Sequence, residues 1–362
     1  MNRAVKGIVC AAAAIAVSAS GLAGTGAASA ARAPGPDGSV PVYGILTGVA
    51  ATSARNAWAV GQVNDFGKNL ILHWNGTRWK RVPGPSPAGA QLHGVAATSA
   101  TNAWAVGQAG KGTLILHWNG TTWRRVPGPS PVYSLLLGVA ATSARNAWAV
   151  GEIIKAGLSK ALILHWNGTA WHRVSSPAPA SASSISLTAV TATSARNAWA
   201  VGLINDRNSL ILHWNGTAWH RVVSQPPAHA TSVDLAAVAA TSTGNAWAVG
   251  QLNFSKTLIL HRNGTTWKPV PSPSPGQGAI LQAVTAISGK DAWAVGTSDG
   301  AVLILHWNGS TWKHVPNTSP GGVRGVAATS STNAWAVGNT HPSRDVYKIV
   351  ILHWNGTTWK RR

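Results

Sequence analysis

Cysteine is almost absent from these 362 residues: there is one, Cys10. It sits near the N-terminus, so the rest of the chain can form no disulfide, no Cys-ligated metal site and no thiol redox centre. Methionine is as rare, and 2 Phe and 3 Tyr stand beside 20 Trp. So lopsided an aromatic set points to one recurring unit. Acidic residues are the third shortage, 8 against 29 Lys and Arg, for a formal net charge of +21. Asp37, Asp65, Glu152, Asp206, Asp234, Asp291, Asp299 and Asp345 recur at no fixed position of any pattern. Glycoside hydrolysis typically needs a pair of carboxylates, so a glycoside hydrolase or polysaccharide lyase fits poorly. We read a non-enzymatic chain without a cofactor. The basic excess implies an anionic partner or surroundings.

Long hydrophobic runs are also missing. The longest near the start, Ile8 to Val17, follows Arg3 and Lys6 and precedes a Gly/Ala/Ser stretch ending in Ala28-Ser29-Ala30. That is the layout of a secretory signal with an A-x-A cleavage site. We expect residues 1–30 to be a signal peptide cleaved after Ala30, and the protein to be secreted. The run is too short to span a bilayer, so no integral membrane association is expected.

What is present is a repeat. Asn-Ala-Trp-Ala-Val-Gly begins at Asn56, Asn102, Asn146, Asn197, Asn245 and Asn333, with a seventh copy opening on Asp291. A second segment, Leu-Ile-Leu-His-Trp-Asn-Gly, places histidines at His73, His117, His165, His213, His261, His306 and His353. Its tryptophan is replaced once, by Arg262. A third tryptophan closes each unit: Trp79, Trp123, Trp171, Trp219, Trp267, Trp312 and Trp359. These three classes account for every Trp in the chain.

Each unit reads as four short strands, a to d. In the first copy these are Leu46–Ser53, Ala57–Val60, Leu70–Trp74 and about Arg78–Val82. Short strands between turn signals, repeating every 40 to 50 residues, indicate a propeller. The expected fold is an all-β, seven-bladed β-propeller over residues 45–362, with four antiparallel strands per blade. Residues 31–44 form a linker in which Ser39–Val42 is a candidate closure strand against the last blade. Asn75-Gly76 suits a two-residue type I′ turn between c and d. That turn would pair Trp74 with Thr77 and Leu72 with Trp79.

Asn-Ala-Trp-Ala-Val-Gly and His-Trp-Asn-Gly-Thr-Thr-Trp resemble the repeats of secreted actinobacterial propellers. Those are grouped with Asp-box (BNR-like) and photosystem-assembly-factor-like repeat proteins. The Gly-Thr-Thr-Trp ending, as in Gly120 to Trp123, matches the second half of an Asp-box, but Trp74 and its counterparts stand where the box has its aspartate. The resemblance covers about residues 45–362. It implies seven blades and a binding or scaffolding role, with no particular ligand. Some Asp-box propellers are sialidases, but they resemble this chain only in the turn.

Among the recurrent residues, Trp58, Trp79 and their equivalents are expected to be buried packing residues, since seven exposed copies would invite aggregation. The Trp74 class, beside the turn, is a candidate for sugar stacking in a carbohydrate-binding (lectin-like) alternative. The histidines are one per blade, too dispersed to share a metal, and are expected to make a hydrogen bond within each blade. Asn75-Gly76-Thr77 and its equivalents are also glycosylation sequons, though turn chemistry explains each of them.

Ten cations follow the third Trp in strand d: Lys80, Arg81, Arg124, Arg125, Arg173, Arg221, Lys268, Lys313, Lys360 and Arg361. Charges on an exposed edge strand block unwanted pairing. Edge protection does not explain the cations between strands b and c. There the candidate binding residues are Lys68, Lys111, Lys155, Lys160, Arg207, Lys256, Arg344 and Lys348. In an up-and-down blade the b–c and d–a connections share one face of the ring. These connections vary in length, from six residues to eleven for b–c, and variable loops on a rigid scaffold carry function. The sequence reading is therefore a secreted binding or scaffold protein whose basic loop face takes an anionic cell-envelope polymer or an acidic protein surface. A glycan is the alternative partner. No nucleic-acid recognition motif is present.

Overall fold

The structure is a computed structural model that describes residues 43–362, apart from 64–66, 178, 180, 226, 318, 344 and 345. It contains seven sheets of four antiparallel strands, each built from consecutive strands. Blade one consists of β1 (Ile45–Ser53), β2 (Asn56–Gln62), β3 (Asn69–Trp74) and β4 (Trp79–Arg81). The other six blades repeat this a-b-c-d order, with strand a innermost and strand d on the rim. There is no helix among the described residues.

The inner strands approach one another closely. A Cβ built on Gly48 would lie 3.4 Å from the Cα of Gly94 in the next blade, and one on Gly325 would lie 3.2 Å from the Cα of Gly48. Small residues therefore hold this position in every blade: Gly48, Gly94, Gly138, Ala189, Ala237, Ala283 and Gly325. One residue earlier, strand a carries a β-bulge. Leu46 pairs with Gly61 and Gly48 with Val60, so Thr47 is left over. The Gly that ends each Asn-Ala-Trp-Ala-Val-Gly segment lies opposite that bulge. A side chain on Gly61 would run into the Ile45 carbonyl oxygen, and Gly107, Gly202 and Gly250 meet the same obstacle.

Blades are locked to one another by tryptophan. Trp58 is fully buried, and its ring meets Trp118 and Trp123 of the next blade at centroid distances of 4.8 and 5.1 Å. The second contact is edge to face, which suits the aromatic quadrupole. Trp104, Trp148, Trp247, Trp293 and Trp335 form the same trio with the blade that follows each. All seven strand-b tryptophans are 0–1 % exposed. Burying one such ring is worth about 4–6 kcal/mol before entropy costs. Their indole N–H groups have no hydrogen-bond partner, so what this ring of aromatics contributes is packing.

Each strand-c histidine lies over the strand-b tryptophan of its own blade, as His73 does over Trp58 at 4.2 Å. Its Nε2 meets Asn56 Oδ1 at 2.8 Å, and Asn56 Nδ2 donates to Thr52 Oγ1 at 2.7 Å. Equivalent His–Asn bonds recur in five other blades, and Asp291 takes the Asn place opposite His306. The expected within-blade hydrogen bond is thus present in all seven blades. Desolvation lowers the pKa of His73 and of five of its counterparts.

Two expectations about turns are corrected. The c–d connection of blade one is a four-residue turn, because Trp74 pairs with Trp79 and Leu72 with Arg81. Asn75 Oδ1 accepts from the N–H groups of Thr77 and Arg78, and this side-chain cap stabilises the longer turn. Gly76 has φ +97°, and Asn75 is not in the left-handed region. Only blade five, where Asn263 pairs with Thr266, has the two-residue form. The b–c connections are likewise shorter than the sequence spacing suggests, because strands b and c run on towards each other. In blade two they leave Gly110 and Lys111, and in blade three Ala156 and Gly157. Left-handed residues at these tips, such as Gly110 and Ala156, mark tight turns.

Among the described residues, all four strands of blade seven come from the C-terminal repeat. Ser39–Val42 and the expected signal segment lie outside the described residues. Next to them, Tyr43 makes an antiparallel bridge with Lys348 of blade seven, and Gly44 N donates to Tyr347 O at 2.8 Å. The residue before strand a makes a comparable bond at other seams, as Ala90 N does to Gly67 O and Ala279 N to Ser255 O.

Candidate functional site

Seven of the eight candidate b–c residues are described; Arg344 is not. Lys68, Lys111, Lys155, Lys160, Arg207 and Lys256 are exposed, and Lys348 is half-buried. Lys111 and Arg207 sit in turns. Lys155, Lys160, Lys256 and Lys348 belong to strands, because those strands extend into the expected loops. Two carry an aromatic neighbour: Lys111 Nζ lies 5.2 Å from the Tyr133 ring centroid and Lys348 Nζ 6.0 Å from that of Tyr43.

This face is not uniformly basic. Asp206 and Asp299 occupy its turns with positive φ, and Glu152 and Asp234 are buried near the same ends of strands b and a. Asp234 accepts from Ser232 Oγ at 3.0 Å and Gln251 Nε2 at 2.7 Å. Asp65 and Asp345 fall in b–c connections by sequence but outside the described residues. Glu152, Asp206, Asp234 and Asp299, four of the carboxylates among the described residues, therefore belong to this one side of the ring. They come from four different blades. Two shallow clefts, of about 390 and 600 Å³, lie on the outer edges of blades two and three, and neither is lined by Asp or Glu. No group of three His, Cys, Asp or Glu able to hold a metal occurs among the described residues.

The rim differs. Strand d is three or four residues long, and the register places its first residue after the Trp opposite the strand-c histidine. Lys80, Arg124, His172, His220, Lys268, Lys313 and Lys360 hold that position. The next position, opposite the strand-c leucine, holds Arg81, Arg125, Arg173, Arg221, Pro269, His314 and Arg361. All ten Lys and Arg are exposed except Arg81, which is half-buried. Strand d contains no carboxylate in any blade.

The Trp74 class, the candidate sugar platform, is built into the seams. Trp74 is 8 % exposed, and its Nε1 donates to Ala54 O at 2.9 Å. Its ring lies 4.8 Å from that of Trp335. Trp118, Trp166, Trp214 and Trp354 are half-buried and use their N–H groups in the same way. Most of each ring is thereby committed to packing.

Sequence reasoning missed the bulge position. Thr47, His93, Leu137, Thr188, Ala236, Gln282 and Arg324 occupy it, and it is the most chemically varied site of an otherwise repetitive strand. That variability was its only signal. Thr47 and Thr188 each donate to a carbonyl of the next blade. His93 Nε2 and Gln282 Oε1 are buried without partners. Burial drops the His93 pKa to about 4. It also lowers that of Arg324, whose Nε donates to Asn339 Oδ1 at 3.1 Å.

No protein-family model matches this chain, and no curated protein does either. Solved structures do match in fold. YCF48 from Cyanidioschyzon merolae is 15% identical with a TM-score of 0.60, over 89% of this chain and 98% of that one. Streptogramin B lyase is 17% identical with a TM-score of 0.62, over 86% and 95%. The Aleuria aurantia lectin, in complex with Fucα1-6GlcNAc, is 14% identical with a TM-score of 0.55, over 79% and 98%. These proteins differ in what they do, and at such identities the likeness shows the propeller fold alone.

Proposed function

We propose that this chain is a secreted, non-enzymatic binding or scaffold propeller that recruits an anionic partner through its exposed Lys and Arg residues. The observation that carries this reading is where the charge excess sits. The described cations of strand d and of the b–c connections are exposed or half-buried, and nearly all stand on β-structure held by buried tryptophan seams. A fixed array of one charge sign raises the local concentration of counter-charged ligands over roughly a Debye length, about 8 Å at physiological salt. The partner is an anionic cell-envelope polymer or an acidic protein surface. Two sets of cations are its candidate contacts: Lys68, Lys111, Lys155, Lys160, Arg207, Lys256, Arg344 and Lys348 on the loop face, and the Lys and Arg residues of strand d on the rim. Export through cleavage after Ala30 and kinship with secreted actinobacterial Asp-box-like propellers belong to the same reading. That the carboxylates recur at no fixed position of the repeat supports a non-catalytic role, although streptogramin B lyase shares the fold.

Retention of the purified protein on an immobilised polyanion, measured at two salt concentrations, tests this. Binding should weaken steeply as salt rises. Absence of retention at low salt would overturn the reading. Carbohydrate binding is the second reading, favoured by the shared fold of the Aleuria aurantia lectin. It expects salt-insensitive binding to a neutral glycan.

A further inference from the structure

Within the proposed function, the structure distinguishes two cationic surfaces, and we propose that the partner is a linear, flexible polyanion that tracks the outer rim rather than the loop face. Strand d supplies two registered positions per blade. The row opposite the strand-c histidines holds Lys, Arg or His in all seven blades, and the row opposite the leucines does so in six, with Pro269 the exception. Because the blades form a closed ring and each supplies at least one Lys or Arg at these positions, the two rows together make a continuous belt. No carboxylate interrupts it. The adjoining described a–b and c–d turns carry Arg55, Arg78, Arg145, Arg196 and Lys290 and no acid. Asp291, at the edge of those turns, is engaged by His306 at 2.9 Å.

Protection of an edge strand needs a charge or a proline; it does not need Lys or Arg on the rim of all seven blades with no acid among them. The b–c cations share their side of the ring with four described carboxylates, Glu152, Asp206, Asp234 and Asp299, so their field is partly cancelled. The shape of the rim selects the partner. A flexible chain can follow a convex belt and engage many blades at once, gaining avidity from each added contact. A folded acidic protein meets a convex rim over only a few blades.

The test uses long-chain inorganic polyphosphate of about 100 units, tripolyphosphate and a folded acidic protein, with full-length protein. One variant reverses Lys80, Arg125, Arg173 and Lys313 to Glu. A second reverses Lys68, Lys111, Lys155 and Lys256 to Glu, an equal change of charge. A third replaces the same four rim residues by Gln, should reversal prevent folding; thermal melts establish the fold of each. Long polyphosphate should bind the native protein at least about ten-fold more tightly per phosphate than tripolyphosphate. The rim variants should lose at least about ten-fold and show a shallower salt dependence, and the loop variant should change less than about three-fold. Loss in the loop variant with the rim variants unaffected would overturn the belt and leave the binding reading standing. Equal affinity per phosphate for short and long chains would also overturn it, as would tighter binding of the acidic protein. Failure of all three ligands to bind at low salt would overturn both.

Discussion

Six seams of the ring contain three tryptophans; the seam between blades four and five contains two and an arginine. There Arg262 lies over the Trp199 ring at 4.7 Å, while Trp267 meets the same ring edge-on at 5.4 Å. Arg262 Nε donates to Thr243 O at 3.0 Å, the counterpart of the bond from Trp74 Nε1 to Ala54 O. Its Nη1 also donates to Thr265 O at 2.7 Å, within the shortened c–d turn of that blade. The guanidinium is planar, stacks on aromatic faces and donates sideways, so it serves both functions of the indole it replaces. The strand-c tryptophan is thus one of two planar donors that this chain uses there. The strand-b tryptophan, at 0–1 % exposure in every blade, has no such substitute in this chain.

The comparison breaks first at strand b. Trp148→Ala should cost about 3–5 kcal/mol in chemical denaturation, since it leaves a cavity against Trp214 and Trp219; an unchanged midpoint would refute the packing account. Trp214→Ala should cost less, about 2–3 kcal/mol, because that ring is only half-buried. Trp214→Arg copies blade five into blade four and should recover about 1 kcal/mol of the loss through its contact with Trp148. If Arg were no better than Ala at this site, the equivalence drawn from Arg262 would be wrong. The smallest effect is electrostatic. Desolvation and then Arg262 hold the His213 pKa below its ordinary value, with His220 contributing. A positive neighbour disfavours the imidazolium, so Arg262→Trp should raise the His213 pKa, with desolvation keeping it below 6.5. NMR titration of His213 would detect this, and a downward shift would contradict the assigned cause.

Much of the fold was legible because seven copies repeat the same physics. Buried Trp58, the His73 bond and the alternation of Leu70, Leu72 and Trp74 follow from strand periodicity and the cost of exposing large rings. The c–d turn was misread because Asn-Gly favours a two-residue hairpin, whereas here the Asn75 side chain caps a longer one. The b–c spacing was misread because residues such as Ile153, Ile154 and Ser159 extend the strands, leaving only a tight tip. For the candidate site, the cations were visible as residues but their alignment was not. That Lys80 and Lys313 hold one height on the rim, while Glu152 and Asp234 gather on the other side, emerges only from register and topology.

The seam between Tyr43–Gly44 and blade seven has a consequence for the order of the blades along the chain. Trp335 meets Trp74 and Trp79 with the geometry of the covalently connected seams, at 4.8 and 5.0 Å. A wheel whose open joint matches its linked ones has no privileged first spoke. Joining Arg362 to Tyr43 through a short linker and reopening the chain in another d–a connection, such as 83–90, would yield a circular permutant with the same seven joints. The repeat's order in the gene would then be a record of duplication, and the ring itself would be indifferent to it.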